Sequence, residues 1–190
     1  STCSQKRTLL RANSAAASMM SRAPIRTSLP TFRWLSSPSG SASAMSAALT
    51  ARARGASVLM IESANKDLRG GNSRHVRNIR YSHNAATDYV TGRYDADEYF
   101  KDLMRVTDGN TNEDLMRFMI EASEDCVDWM LAQGIKFQPP LSGTLGLART
   151  NAFFLGGGKG MMNAYFKAAE QAGIDIVYEA EVEKIEMDHS

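Results

Sequence analysis

The run Ala56-Ser57-Val58-Leu59-Met60-Ile61-Glu62 constrains this chain more than any other segment. It is short and apolar, and a single carboxylate closes it. Such a run reads as a strand buried in a parallel sheet. Before it, Ala44, Ala47, Ala48, Leu49 and Ala51 form a helix of small residues that ends near Arg54, with Gly55 in the C′ position. Far downstream a second helix spans 160–172, with Met161, Ala164, Tyr165 and Ala168 on one face and Gly173 at its end. Two alternating segments follow, 174–178 and 181–187, and both read as strands. The core order is helix, strand, long excursion, helix, strand, strand. That alternation predicts an α/β fold with a parallel sheet.

The excursion begins as loop, polar and rich in Gly, Asn and Arg over 63–93. Tyr99, Phe100, Leu103 and Met104 then carry helical spacing through 95–106. A longer helix starts at Thr111 or Asn112. Glu113 and Asp114 occupy its first turn, where the helix dipole favours acids. Its expected core stripe is Leu115, Met119, Ala122, Cys126, Trp129 and Met130, and Gly134 ends it. Cys126 on that stripe is a packed thiol and no nucleophile. Pro139 and Pro140 open another loop, which runs to Gly156, Gly157 and Gly158.

Composition enters where it excludes things. At 190 residues, with 43% hydrophobic and 23% charged residues, the chain has the make-up of a soluble globular domain, or of one domain and part of another. No stretch approaches the ~20 apolar residues of a membrane helix. Two distant cysteines, Cys3 and Cys126, allow neither a metal motif nor a disulfide framework. Residues 1–61 contain no Asp or Glu, yet hold Lys6, Arg7, Arg11, Arg22, Arg26, Arg33, Arg52 and Arg54. The first 43 residues therefore read as a basic Ser/Arg-rich tail, either an organelle transit peptide or a disordered stretch outside the fold. Their basic residues are not clustered, and few aromatics interleave them, so no nucleic-acid partner is expected. The start at Ser1 and the stop soon after a strand lead us to expect a fragment or a processed product.

The chemistry is carried by two loops and the acid. In dinucleotide-binding folds a Gly-rich turn opens the first helix, and an Asp or Glu about 20 residues later takes the ribose hydroxyls. Glu62 has that spacing from Ser39-Gly40-Ser41-Ala42-Ser43-Ala44. The fingerprint is degenerate there. Ser39 and Ser41 occupy the two essential glycine positions, and a serine forced to positive φ costs about 1–2 kcal/mol. Pro38 also spoils the strand expected before the turn. The second loop, Arg69-Gly70-Gly71-Asn72-Ser73-Arg74-His75, offers a backbone that a phosphate or a flat ring can approach closely.

The stretch RGGNSRHVRNIR (69–80) resembles the flavin-contacting loop of FAD-dependent tricarballylate dehydrogenases. These belong to the fumarate reductase/succinate dehydrogenase flavoprotein superfamily. The stretch FQPPLSGTLGLARTNAFFLGGG (137–158) is similar to the same group. The resemblance implies a Rossmann-like FAD-binding domain, incomplete here, over 44–190. Residues 88–150 would be an inserted helical and loop region that begins the capping substrate domain. It implies that Gly40, Ser41, Glu62, Gly70, Gly71, Asn72, Ser73, His75 and Val182 contact FAD. Glu62 would take the adenosine ribose, and Val182 would meet the adenine region through its backbone. In relatives with covalent flavin a His follows a Ser in this loop. Here Arg74 intervenes between Ser73 and His75, so a hydrogen-bonding or structural histidine is expected.

The implied substrate is a small di- or tricarboxylate, with Arg77, Arg80, Arg149 and Thr150 as its candidate ligands, since the guanidinium fork matches a carboxylate. Asn151 could add a hydrogen bond. The implied reaction removes two hydrogens across a C–C bond, as in tricarballylate to cis-aconitate, with an unidentified acceptor reoxidising the flavin. The superfamily's acid/base group lies downstream of the residues present, so no catalytic residue and no activity are expected of this fragment alone. The alternatives are a fumarate reductase or 3-ketosteroid dehydrogenase relative, and a non-catalytic remnant that does not bind FAD. The expected compartment is the cytoplasm, or the mitochondrial matrix if the N-terminus is a transit peptide. His83 and His189 show no partner in the sequence.

Overall fold

Helix α1 (Ala42–Ala53) starts on Ser41, whose side chain accepts the Ala44 N–H. Strand β1 (Leu59–Glu62) follows it. The computed structural model describes residues 41–141, 143 and 146–182. Residues 1–40 and 183–190, with Ser39, Gly40 and His189 among them, lie outside the described residues, as does most of the segment 181–187 expected as a strand. The chain divides into two compact units. The first comprises residues up to Ser73 and from Phe166 onward; the second runs Arg74–Tyr165.

In the first unit β1 pairs in parallel with β4 (Asp175–Tyr178), in the register Leu59↔Asp175 through Glu62↔Tyr178. This is the parallel pair that the apolar run ending in Glu62 predicts. Ala44, Met45, Ala48 and Leu49 of α1 are buried, as are Met60 and Ile61 of β1. Ile61 packs with Ala180, and Leu59, Val177 and Val182 lie against them. The Arg52 Nε donates to the Ala172 carbonyl at 2.7 Å, which ties the end of α1 to the turn before β4.

In the second unit β2 (Asn78–Arg80) pairs antiparallel with β3 (Asn151–Phe153). Both strands fall in segments that read as loop. Helix α2 (Ala96–Val106) is capped by the Asp95 side chain, which accepts the Glu98 N–H at 2.9 Å. Helix α3 (Glu113–Ser123) is capped by Asn112 in the same way. Tyr94, Tyr99, Met116 and Ile120 make the core between them.

The long helix expected from 111 to 133 is two helices, α3 and α4 (Cys126–Ala132), and its stripe is rotated. Met116, Ile120, Ser123, Val127 and Met130 face inward, whereas Leu115 is 63% exposed and Phe118 68%. The physical reason is Ser123. Its hydroxyl donates to the Ile120 carbonyl at 2.6 Å and accepts the Ser82 N–H at 3.0 Å. The hydroxyl oxygen thus satisfies a distant backbone donor from the last residue of α3. Helix α5 (Leu147–Thr150) is a single turn before β3. Helix α6 (Gly157–Gln171) starts three residues earlier than its periodicity suggests and buries Met161, Met162, Tyr165, Phe166 and Ala169. Ala164 and Ala168 are only half-buried. The unit boundary falls inside α6, between Tyr165 and Phe166.

Candidate functional site

Glu62 ends β1 with 1% of its surface exposed. A buried carboxylate must be hydrogen-bonded to persist. Here its Oε1 accepts the Ala64 N–H at 3.0 Å and its Oε2 the Gly70 N–H at 3.1 Å. The acid therefore shapes the loop that follows it. Gly70 and Gly71 have φ of 101° and 48°, backbone that residues with a Cβ rarely adopt. The chain then enters a short 3₁₀ turn, Gly71–His75. Within it the Ser73 Oγ accepts the Ala42 N–H, the first of α1, at 3.1 Å.

Ser41, Glu62, Gly70, Gly71 and Ser73 are thus brought together in the first unit, and Asn72 is exposed on the same turn. Val182 packs on the Ile61–Ala180 cluster. Ser41 has φ −75° and ψ 163°, ordinary extended backbone for an N-cap. The positive-φ strain expected of it does not arise, because it caps the helix from outside with its own side chain. Gly40 lies outside the described residues.

One residue that sequence reasoning passed over is central here. The Arg69 guanidinium lies 4.2 Å from the Phe166 ring centroid and 5.8 Å from that of Tyr178. Its Nη1 donates to the Tyr178 hydroxyl at 2.7 Å and sits 3.5 Å from the Glu170 carboxylate. Burial pushes the Tyr178 phenol up, and the Arg69 hydrogen bond opposes that shift.

In the second unit His75 and Arg77 are exposed. The Arg77 carbonyl accepts the Phe154 N–H, and the Val76 carbonyl that of Gly158, so this stretch is fixed through its backbone. Arg80 and Arg149 converge on one ring. Their guanidinium carbons lie 5.7 and 5.5 Å from the Tyr94 centroid. Arg80 is 3.8 Å from Asp102, which also accepts the Tyr94 hydroxyl proton at 3.0 Å. Arg149 grips Glu98 with both Nη atoms, one of them at 2.9 Å, and donates to the Arg93 carbonyl. That fork holds the Glu98 carboxyl below the usual carboxylate range and raises Arg149. Burial, then the Asp102 hydrogen bond, pushes the Tyr94 phenol far up. The Thr150 hydroxyl donates to Asn151 Oδ1 at 2.6 Å.

His83 is not partnerless. It is 5% exposed, and its ring nitrogens lie 3.1 and 2.9 Å from the carbonyl oxygens of Tyr81 and Arg149. Cys126 is half-buried, and burial pushes its thiol up to about 11, so it is a poor nucleophile at neutral pH. Among the described residues no helix is long and apolar enough to cross a membrane, and no three His, Cys, Asp or Glu are placed to hold a metal ion.

Comparison with known proteins adds three kinds of finding. Residues 39–190 match a family model described as FAD binding domain. No curated protein matches the sequence. Among solved structures, the chain is similar to a 3-ketosteroid-Δ4-(5α)-dehydrogenase from Rhodococcus jostii RHA1, with TM-score 0.59 and 14% identity over 82% of this chain. It is similar to the open conformation of a flavocytochrome c3 fumarate reductase, with TM-score 0.58 and 21% identity over 87%. A third is adenylylsulfate reductase from the hyperthermophilic Archaeoglobus fulgidus, with TM-score 0.53 and 15% identity over 94%. The chain spans 39%, 29% and 27% of the lengths of these three structures. At such identities the likeness is one of fold.

Proposed function

The chain belongs to the FAD binding domain family, and from that premise we propose that it is the FAD-holding part of an oxidoreductase that dehydrogenates a small tricarboxylate, tricarballylate to cis-aconitate. Its fold is that of an incomplete α/β FAD-binding domain, and its cofactor is FAD. The residues present fit that group. An acid is buried at a strand end, two consecutive glycines stand at positive φ beside it, and α1 begins there with the small residues Ala42, Ser43 and Ala44. In this reading Glu62 accepts ribose hydroxyl protons. Ser41, Gly71, Asn72 and Ser73 present hydroxyls and backbone N–H groups to the pyrophosphate, as helix starts and glycine loops do, and Gly70, its N–H held by Glu62, lets the backbone come close.

The single observation that carries the reading is the bond between Glu62 and the Gly70 N–H. It couples the acid of the strand end to the glycine loop, the two features that the sequence marks separately. Bound FAD supplies the hydride acceptor for removal of two hydrogens across a C–C bond. For substrate, Arg77 is the candidate guanidinium left to take a carboxylate. It is exposed, and its side chain has no ion pair among the described residues. Arg80 and Arg149 are already paired with Asp102 and Glu98.

The test is FAD titration of the purified chain, followed by quenching of flavin fluorescence. Saturable micromolar binding supports the reading; none up to millimolar FAD refutes it. Added tricarballylate is then expected to perturb the bound-flavin spectrum, and Arg77→Ala to abolish that perturbation. A second reading, a relative acting on steroids, rests on the fold likeness to the ketosteroid enzyme. A spectral response to 4-androstene-3,17-dione and none to tricarballylate selects it.

A further inference from the structure

We propose that Arg69 is a positioning residue for the FAD-binding loop, holding Gly70–Ser73 in place from the ends of the two paired strands without touching the cofactor. The inference rests on the FAD reading above. Gly70 and Gly71 give the loop its shape but nothing to hold it, since glycine has the widest conformational freedom of any residue. The anchors lie on either side of the Arg69–Gly70 peptide. On one side the Gly70 N–H is held by Glu62. On the other the Arg69 guanidinium is held by the Tyr178 hydroxyl and the face of Phe166. Glu62 and Tyr178 are register partners at the ends of β1 and β4. The loop is therefore tied at two adjacent points to the strand pair itself.

The guanidinium suits this role in a way that a lysine does not. Its plane can lie on one ring while its edge donates to the hydroxyl of another, and its orientation is fixed when both contacts are made. Only 13% of the side chain is exposed, so the contacts are little screened. The nearby Glu170 is 46% exposed and contributes less.

The experiment compares wild type with Arg69→Met, Arg69→Lys and Tyr178→Phe, using the whole chain. Hydrogen exchange of the 70–73 amides is read without cofactor, FAD affinity by fluorescence quenching, and the fold by circular dichroism. Arg69→Met is expected to speed exchange of the Gly70 amide, to leave that of β1 unchanged, and to weaken FAD binding about tenfold, which is about 1.4 kcal/mol. Arg69→Lys recovers part of both losses, and Tyr178→Phe shows a smaller loss of each. Unchanged Gly70 exchange or unchanged affinity in Arg69→Met overturns the proposal. If that variant does not fold, Tyr178→Phe decides in the same way, since it removes one hydroxyl from an intact sheet. A wild type that binds FAD no better than its variants overturns the role of Arg69 alone. A wild type without FAD affinity overturns the cofactor reading and the role together.

Discussion

Replacing Gly160 by alanine tests a close approach of two backbone segments in the second unit. A Cβ at this position would lie 2.6 Å from the Leu155 carbonyl oxygen. Ordinary contacts begin at 3.4 Å, about 0.8 Å farther out, so one backbone must move. Neither moves freely. The Leu155 N–H is bonded to the Lys136 carbonyl at 2.8 Å, and the Gly160 N–H to that of Gly156 at 3.1 Å. Overpacking of this kind costs about 1–3 kcal/mol. Alanine gains at most about 1 kcal/mol of helix propensity over glycine, and less near a helix start. The balance is a destabilisation of about 1–2 kcal/mol, or a fall in melting temperature of several degrees at about 4–8 °C per kcal/mol for a unit of this size. Thermal and urea melts followed by circular dichroism read it. Lys159→Ala, at the exposed neighbouring position, is the control and should stay within about 0.5 kcal/mol of wild type. A Gly160→Ala chain as stable as wild type, or more so, would show that the Leu155 carbonyl is free to shift and would refute the reasoning.

Glu62→Gln should turn an amide N–H₂ towards one of the two backbone N–H groups that the carboxylate now satisfies. The expected loss is about 1–3 kcal/mol in urea melts, with weaker FAD binding by fluorescence quenching; an unchanged protein would mean that the acid does not hold the Gly70 turn. Ile120→Ala should cost about 2–4 kcal/mol, whereas Leu115→Ser should change the urea midpoint little, and the reverse order would restore the unrotated stripe. Asp95 and Glu98 are both held below the usual carboxylate range, Asp95 first by the Glu98 N–H and Glu98 first by the Arg149 side chain. Because their folded values are depressed, the stability they lend is present above the unfolded value of about 4 and is lost as the pH falls through the folded one. Urea midpoints taken at successively lower pH should therefore fall, and Arg149→Gln should flatten that fall.

What could be read from residues alone was local. The apolar run ending in Glu62 reads as a strand because it is short, apolar and closed by one acid, and Asn112 caps α3 as its side chain allows. The rotation of α3 was not legible. Leu115, Met119 and Ala122 make as good a helical stripe as Met116, Ile120 and Ser123, and a buried Ser82 N–H 41 positions away decides between them. The same holds at the candidate site. Glu62 and the glycines carry a compositional signal, but Arg69 takes its meaning from Phe166 and Tyr178 across the sheet. His83 looked solitary because backbone carbonyls leave no mark in a sequence.

The pairing of Leu59 with Asp175 has a kinetic consequence. The two strands of the first unit close a loop of more than a hundred residues, and closure entropy grows with the logarithm of loop length. Inside 74–165 the cluster of Tyr94, Tyr99, Met116 and Ile120 joins near neighbours, and β2 and β3 close a shorter span than β1 and β4; chains make near contacts sooner than far ones. Once that segment has ordered, the span still to be closed is effectively shorter. The expected order is insertion first and strand pair second: pulse-labelled hydrogen exchange should protect the 78–80 amides before those of 59–62, and the reverse order would refute it.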